Sequence, residues 1–271
     1  MTLIRLERVS KSYDQINDVL RNIDLSISEG EFVVLVGASG CGKTTLLRMI
    51  NRLIEPTSGE ILVKGKNIRD WNKIELRRSI GYVIQETGLF PHMTIQENIS
   101  YVLTIQKKDR EYKQKRSKEL INLVGIPESY LNKYPRELSG GQKQRIGVAR
   151  ALASDPEIIL MDEPFGAIDE ITRKNLQDEL KSIHDHLKKT IIFVTHDIQE
   201  ALKLGTRIIL LKDGQIEQEG DQDNLIFKPG TDYVKDFFGI KGFKATLDEK
   251  VVTRAYNRIL DGEITMDDLF K

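Results

Sequence analysis

Cysteine is almost missing from this chain: Cys41 is the only one in 271 residues. A lone thiol excludes an internal disulfide and fits a reducing compartment. Net charge is missing too, because 41 Lys and Arg balance 41 Asp and Glu. Nothing in bulk therefore draws the chain to nucleic acid or to an acidic membrane surface. No apolar run approaches the roughly 20 residues needed to cross a bilayer. The opening MTLIRLERVS alternates apolar and charged residues and lacks the unbroken apolar stretch of a signal peptide. The expectation is a cytoplasmic protein whose membrane role, if any, comes through a partner. With 39% hydrophobic and 30% charged residues, the chain suits a soluble fold with one good core and a small appendage.

Two kinds of strand pattern are present. LIRLERVS, VLRNIDLSI and GEILVKGKNI alternate apolar and polar residues, as half-solvated antiparallel strands do. EFVVLVG, SIGYVIQ, EIILMDE and TIIFVTH are short, β-branched and apolar on both faces, as strands buried between helices are. These four end at Gly37, Gln85, Asp162 with Glu163, and His196. Ligands of open α/β sheets bind beyond the carboxyl ends of the strands, so four such endings point to one shared site. Between them TIQENISYVLTIQ and KRSKELINLVGI look helical, joined by the charged run KKDREYKQKR, a solvated face. The expected organisation is an α/β domain over 1–220, with a mostly parallel sheet, an antiparallel β subdomain and a helical subdomain over about 86–155. A short helical extension follows over 221–271, where LDEKVVTRAYNRILDG reads as a helix stopped by Gly262.

The chemistry starts at Gly37–Thr44. GASGCGKT fits G-x-x-x-x-G-K-[ST] between an apolar strand and the helix TTLLRMINRLI, the setting of a phosphate loop. Backbone amides of Gly37, Ala38, Ser39, Gly40, Cys41 and Gly42 curl around phosphate oxygens. Lys43 reaches the β- and γ-phosphates, and Thr44, followed by Thr45, brings a hydroxyl to Mg²⁺. Asp162 ends a strand where a carboxylate holds Mg²⁺ directly or through water. Glu163, next along, is the natural base for an attacking water. Gln85 is placed to orient water or touch the metal, and His196 to reach a γ-phosphate. Tyr13 offers a ring for base stacking. A second anion-seeking helix start, Ser139 with Gly140 and Gly141, lies about a hundred residues on. His92, His184 and His186 have no such placement, and the HDH at 184–186 resembles a metal pair only superficially. NKIE at Asn72 misses the guanine-reading N-K-x-D and precedes the second core strand, so it is discounted.

In this order the motifs resemble the ATP-binding subunits of ABC transporters over nearly the whole first 220 residues. Tyr13 corresponds to the aromatic A-loop, GASGCGKT to the phosphate loop, Gln85 to the Q-loop, LSGGQ at 138–142 to the signature, IILMDE to Walker B, Asp169 to the D-loop and His196 to the switch histidine. The resemblance implies a P-loop NTPase fold, ATP and Mg²⁺ as ligands, and a head-to-tail homodimer. In that dimer Ser139, Gly140, Gly141 and Gln142 face the γ-phosphate held by the other copy. It also implies two transmembrane permease subunits, an external substrate-binding protein, no nucleic-acid partner, and a place on the cytoplasmic face of the membrane.

INRLIEPTSGEILVKGKNI, GYVIQETGLFPHMTIQENI and DEPFGAIDEITR are similar to importer ATPases for glycine betaine, choline and carnitine. Ile168 stands where the D-loop usually has leucine. The regulatory tandem CBS region of many relatives is not expected here. Two alternatives stay open: an importer ATPase for another small polar solute such as an amino acid, and a soluble ABC ATPase outside transport. ETGLFPHMT, with Leu89, Phe90, Pro91 and Met93 close together beside Gln85, is read as a docking surface for a membrane subunit, against a packed loop core.

Overall fold

The computed structural model describes residues 1–14, 16–85, 88–166, 168–246, 249–261 and 263–265, with backbone alone at 249–252 and 255. Two sheets organise it. The smaller is antiparallel and built from β1 (Thr2–Ser12), β2 (Asp18–Ser28), β4 (Ser58–Val63) and β5 (Lys66–Asn67) in the order β2-β1-β4-β5. Its alternating strands bury Ile4, Leu6, Ile23, Leu25, Ile27, Ile61 and Val63 on one face, as period-2 patterning requires. The second sheet holds β3 (Phe32–Gly37), β6 (Ile80–Val83), β7 (Ile158–Asp162), β8 (Thr190–Val194), β9 (Arg207–Lys212) and β10 (Gln215–Gly220), ordered β10-β9-β3-β8-β7-β6. All its pairings are parallel except that of β9 with β10.

Both faces of the large sheet are covered, and successive residues show it. Val33 and Leu35 join one core while Phe32, Val34 and Val36 join the other. Ile158 and Leu160 divide from Ile159 and Met161 in the same way, and Ile192 and Val194 from Ile191 and Phe193. The first core lies between the sheets and takes up α1 (Lys43–Ile50) and Leu76 of the short α2 (Lys73–Arg78). The second takes up α3 (Ile95–Ile105), α4 (Arg110–Leu123), α5 (Gly140–Leu152), α6 (Glu170–Leu187), α7 (Ile198–Leu204), α8 (Gln222–Phe227) and α9 (Asp232–Thr246). A last helix, α10, spans Glu249–Leu260; Gly262, its expected stop, falls outside the described residues.

Each helix start has a local cause. Thr94 and Glu97 form a capping box ahead of α3, and Asp109 accepts from the Tyr112 amide ahead of α4. Asp109 therefore puts most of the run 107–116 inside α4, where a connector between two helices was expected; its faces are solvated as anticipated. Asn72 accepts from the amides of Ile74 and Glu75, so NKIE is the cap of α2.

Candidate functional site

β3 runs straight into the phosphate loop, and α1 begins at Lys43. Gly42 caps the helix with φ 102°, and a β-carbon there would stand 2.6 Å from Leu20 Cδ2, so only glycine fits. The Lys43 ammonium is buried and curls over the loop, donating to the carbonyls of Gly37 (2.8 Å) and Ala38 (2.9 Å). Ala38, Ser39 and Gly40 are exposed at the rim. Cys41 is buried. Its thiol points into the core between the sheets, so only its backbone remains for a phosphate.

Thr44 Oγ1 donates to Asp162 Oδ1 at 2.8 Å, joining the first turn of α1 to the end of β7. The other oxygen of Asp162 is faced by Tyr82 Oη at 3.4 Å and by an Arg48 guanidinium nitrogen at 3.5 Å. Tyr82 and Arg48 were not among the expected site residues. Arg48 carried a usable signal, since it lies four residues after Thr44 on one face of the helix. Arg48's own proton is held more tightly than usual, chiefly by its hydrogen bond to Tyr82, while burial pushes the Tyr82 phenol up.

Glu163 leaves the strand in a left-handed conformation (φ 44°), uncommon for a residue with a side chain. Its amide donates to Val194 O at 3.0 Å, and its Oε2 meets His196 Nδ1 at 3.1 Å. Gln85 lies against the same turn: a β-carbon on Gly166 would sit 3.4 Å from the Gln85 amide nitrogen. Tyr13 stands exposed at the mouth, its hydroxyl 3.4 Å from Thr45 Oγ1 and Lys11 Nζ 5.1 Å above its ring. The phosphate loop, Gln85, Asp162, Glu163 and His196 thus converge at the carboxyl ends of β3, β6, β7 and β8.

Ser139–Gln142 form a separate cluster at the start of α5. The Ser139 hydroxyl accepts from the Gln142 amide at 3.3 Å, and Gln142 Oε1 accepts from the Ser139 amide at 3.0 Å. Gly140 is open, with nothing within 4 Å of a β-carbon placed there. Gly141 is buried, and the same β-carbon would come within 2.5 Å of Thr172 Cγ2 on α6. The paired glycines therefore have different tasks, one for exposure and one for packing. Asp169 caps α6 by accepting from the Thr172 amide at 3.0 Å, which holds its carboxyl below the ordinary range. The starts of α5 and α6 are neighbours.

Other residues resolve into structural roles. His184 is buried edge-on to Phe32, with Nε2 3.0 Å from Gly30 O, and burial lowers its pKa. Phe90 is half-buried against Tyr101, ring centroids 4.6 Å apart. The loop around it is wired by buried Asn98, which accepts from the Phe90 amide and donates toward Phe90 O, Met93 O and Thr94 O. Within 88–94, Phe90 is thus packed into the loop, while Pro91 and His92 stay exposed and open to a partner; residues 86 and 87 of the expected docking segment fall outside the described residues.

The family profile described as ABC transporter matches residues 20–166, more than half the chain. The chain belongs to the ABC transporter family. This ABC protein is 54% identical to the glycine betaine/carnitine/choline transport ATP-binding protein OpuCA of Bacillus subtilis, over 88% of the chain and 62% of that protein. It is 46% identical to the glycine betaine uptake system ATP-binding protein YehX of Escherichia coli, over 88% of the chain and 77% of that protein. The chain spans only 60–62% of the length of the first curated relatives it matches. Among solved structures, a dimeric ATP-binding cassette in a post-hydrolysis state with ADP and Pi matches with TM-score 0.72 and 39% identity, over 81% of this ABC protein and 98% of that one. The cbiO1 protein of Clostridium perfringens, part of an ABC transporter complex, matches with TM-score 0.78 and 26% identity, over 94% and 99%. The P-loop NTPase fold expected from the sequence is the observed one.

Proposed function

We propose that this chain is the ATP-hydrolysing subunit of an ABC importer that drives uptake of a small quaternary amine of the glycine betaine, choline and carnitine class. The observation that carries the ATPase reading is the pair of contacts at the strand ends, Thr44 to Asp162 and Glu163 to His196, beside a phosphate loop; the substrate class rests on the likeness to glycine betaine, carnitine and choline transport ATP-binding proteins. Lys43 exchanges its loop carbonyls for phosphate oxygens, and exposed amides at the start of α1 add to the anion site. Glu163 takes the proton of the attacking water, and His196 holds Glu163 and reaches the γ-phosphate.

The Thr44 hydroxyl and the Asp162 carboxylate form a pair of oxygen donors that fits Mg²⁺. This ion is held through only one or two carboxylates and completes its shell with other oxygens, water and phosphate. No group of three or more metal-holding His, Cys, Asp or Glu side chains occurs among the described residues, which suits an ion shared with a nucleotide. Thr44, Gln85 and Asp162 would hold it, and its charge offsets that of the β- and γ-phosphates.

In the same reading two copies pair head to tail, with Ser139, the Gly140 and Gly141 amides, Gln142 and Asp169 of each facing the nucleotide of the other. Residues 1–220 act as the ATPase, with 86–155 as its helical subdomain and 221–271 as an extension. The pair sits under two permease subunits on the cytoplasmic face of the membrane and serves an external binding protein. No helix among the described residues is long and apolar enough to cross a membrane.

The test has two arms. The purified chain should hydrolyse ATP only with Mg²⁺, and absence of hydrolysis rejects the reading. In its own cells, a chromosomal Glu163→Gln allele should abolish uptake of at least one of labelled glycine betaine, choline or carnitine. Unchanged uptake of all three rejects the substrate class and leaves the ATPase standing.

A further inference from the structure

Beneath His196 lies a carboxyl that this chemistry does not use. Glu200, in the first turn of α7, is only 4% exposed. Its Oε2 accepts from Thr195 Oγ1 at 2.6 Å, and its Oε1 faces Gln177 Nε2 of α6 at 3.4 Å. The Thr195 hydroxyl oxygen in turn accepts from the Asp197 amide at 3.0 Å, while the Thr195 amide donates to Leu35 O at 3.1 Å. Residues 195–197 are therefore folded around one hydroxyl, and His196 is the residue in the middle. Asp197 also pairs with Arg173 of α6 at 3.7 Å.

A carboxyl so buried is costly, and burial pushes its pKa up. An apolar residue would fill α7's inner face without that cost, so the acid must be satisfied by what it holds. A cavity of about 40 Å³ connects it to the chemistry: Glu163, Phe165, Gly166, Arg173, His196 and Glu200 contribute to its walls. Among the described residues Arg173 Nε is buried without a partner, and the space suffices for an ordered water. Glu163 and the buried acid thus both line one chamber, joined through the backbone of the histidine loop.

We propose that Glu200 is a positioning residue: by holding the Thr195 hydroxyl it sets the loop 195–197 and so the aim of His196 at Glu163. The proposal rests on the ATPase reading above. It makes α7 and α6 parts of the device that presents the histidine, since Gln177 braces Glu200 and Arg173 pairs with Asp197.

The experiment is a double-mutant cycle on the full chain, reading steady-state turnover, equilibrium ATP affinity and thermal melting together. Thr195→Val keeps shape and removes the hydroxyl; Glu200→Ala removes its acceptor. Each should lower kcat by roughly tenfold while ATP affinity stays within about twofold, and the double variant should be no slower than the worse single one. Glu200→Gln, whose amide oxygen still accepts from Thr195, should recover most of the loss. If Glu200→Ala fails to fold, Thr195→Val against Thr195→Ser carries the same comparison. Wild-type-like turnover in Thr195→Val overturns the proposal, as does a double variant whose loss is the product of the single losses. A wild-type chain that does not hydrolyse ATP overturns the ATPase reading instead.

Discussion

His196 Nδ1 and Glu163 Oε2 meet at 3.1 Å although 33 residues separate them. The contact follows from topology. β7 and β8 are parallel neighbours with Asp162 opposite Val194, so both residues emerge just beyond the last paired position. The left-handed backbone at Glu163 then turns its carboxylate toward the imidazole instead of across the sheet.

Glu163→Gln keeps the side chain's shape and removes its ability to accept a proton. Turnover should fall by about 10²-fold or more while ATP still binds, and ATP-bound dimers should accumulate. Steady-state hydrolysis and size-exclusion with and without ATP measure both. Near-normal turnover would remove Glu163 from the role of base.

The two glycines of the signature segment should separate. Gly141→Ala forces a methyl against Thr172 Cγ2, an overpacking that costs about 1–3 kcal/mol and lowers the melting temperature. Gly140→Ala meets nothing and relieves backbone entropy in a helix, so stability should hold or rise by about 0.5–1 kcal/mol. ATP-dependent dimerisation should nevertheless weaken, because the added methyl stands where the other copy's phosphate is proposed to approach. A Gly140→Ala protein that dimerises and hydrolyses normally would place the nucleotide elsewhere.

Much of this was legible because the chain's periods are clean. The four parallel strands carrying site residues read as β-branched runs, and each led into a motif that named it: the glycine loop after β3, and Gln85, Asp162 with Glu163, and His196 after the other three. β9 was not anticipated although RIILLK is just as apolar, because its end at Lys212 completes no motif; β10 alternates too weakly to stand alone. Arg48, Tyr82 and Asp162 are far apart in the chain, and only the strand order brings them together.

His184 gives a pH dependence with a definite sign. Burial lowers its folded pKa below the usual 6.5 of the unfolded chain, so below that value the unfolded state binds more protons than the native state. Stability should be unaffected by this residue above about pH 7 and should decline as pH falls through 6.5 toward the lower folded pKa. His184→Gln should flatten that part of a stability-against-pH curve, measured by urea unfolding between pH 7.5 and about 5. An unchanged slope in the variant would show that other groups set it.

The head-to-tail pairing can be tested by disulfide capture. Cys41 is buried, so it is a poor partner for an engineered thiol, whereas Ser39 and Ser139 are both exposed. In a Cys41→Ala background, one protein carries Ser39→Cys and a second, differently tagged, carries Ser139→Cys. A disulfide needs Cα atoms within about 7 Å, so it forms only on close approach. Mixing the two before oxidation excludes any intramolecular bond. Composite sites should give a covalent heterodimer carrying both tags, on gels without reductant, with a yield that changes when ATP is added. Each protein oxidised alone should stay monomeric. Self-linking of the Ser39→Cys protein would mean loop-to-loop pairing, and self-linking of the Ser139→Cys protein would mean signature-to-signature pairing. No heterodimer under any nucleotide condition, with both proteins folded and binding ATP, would mean that each copy closes its site by itself.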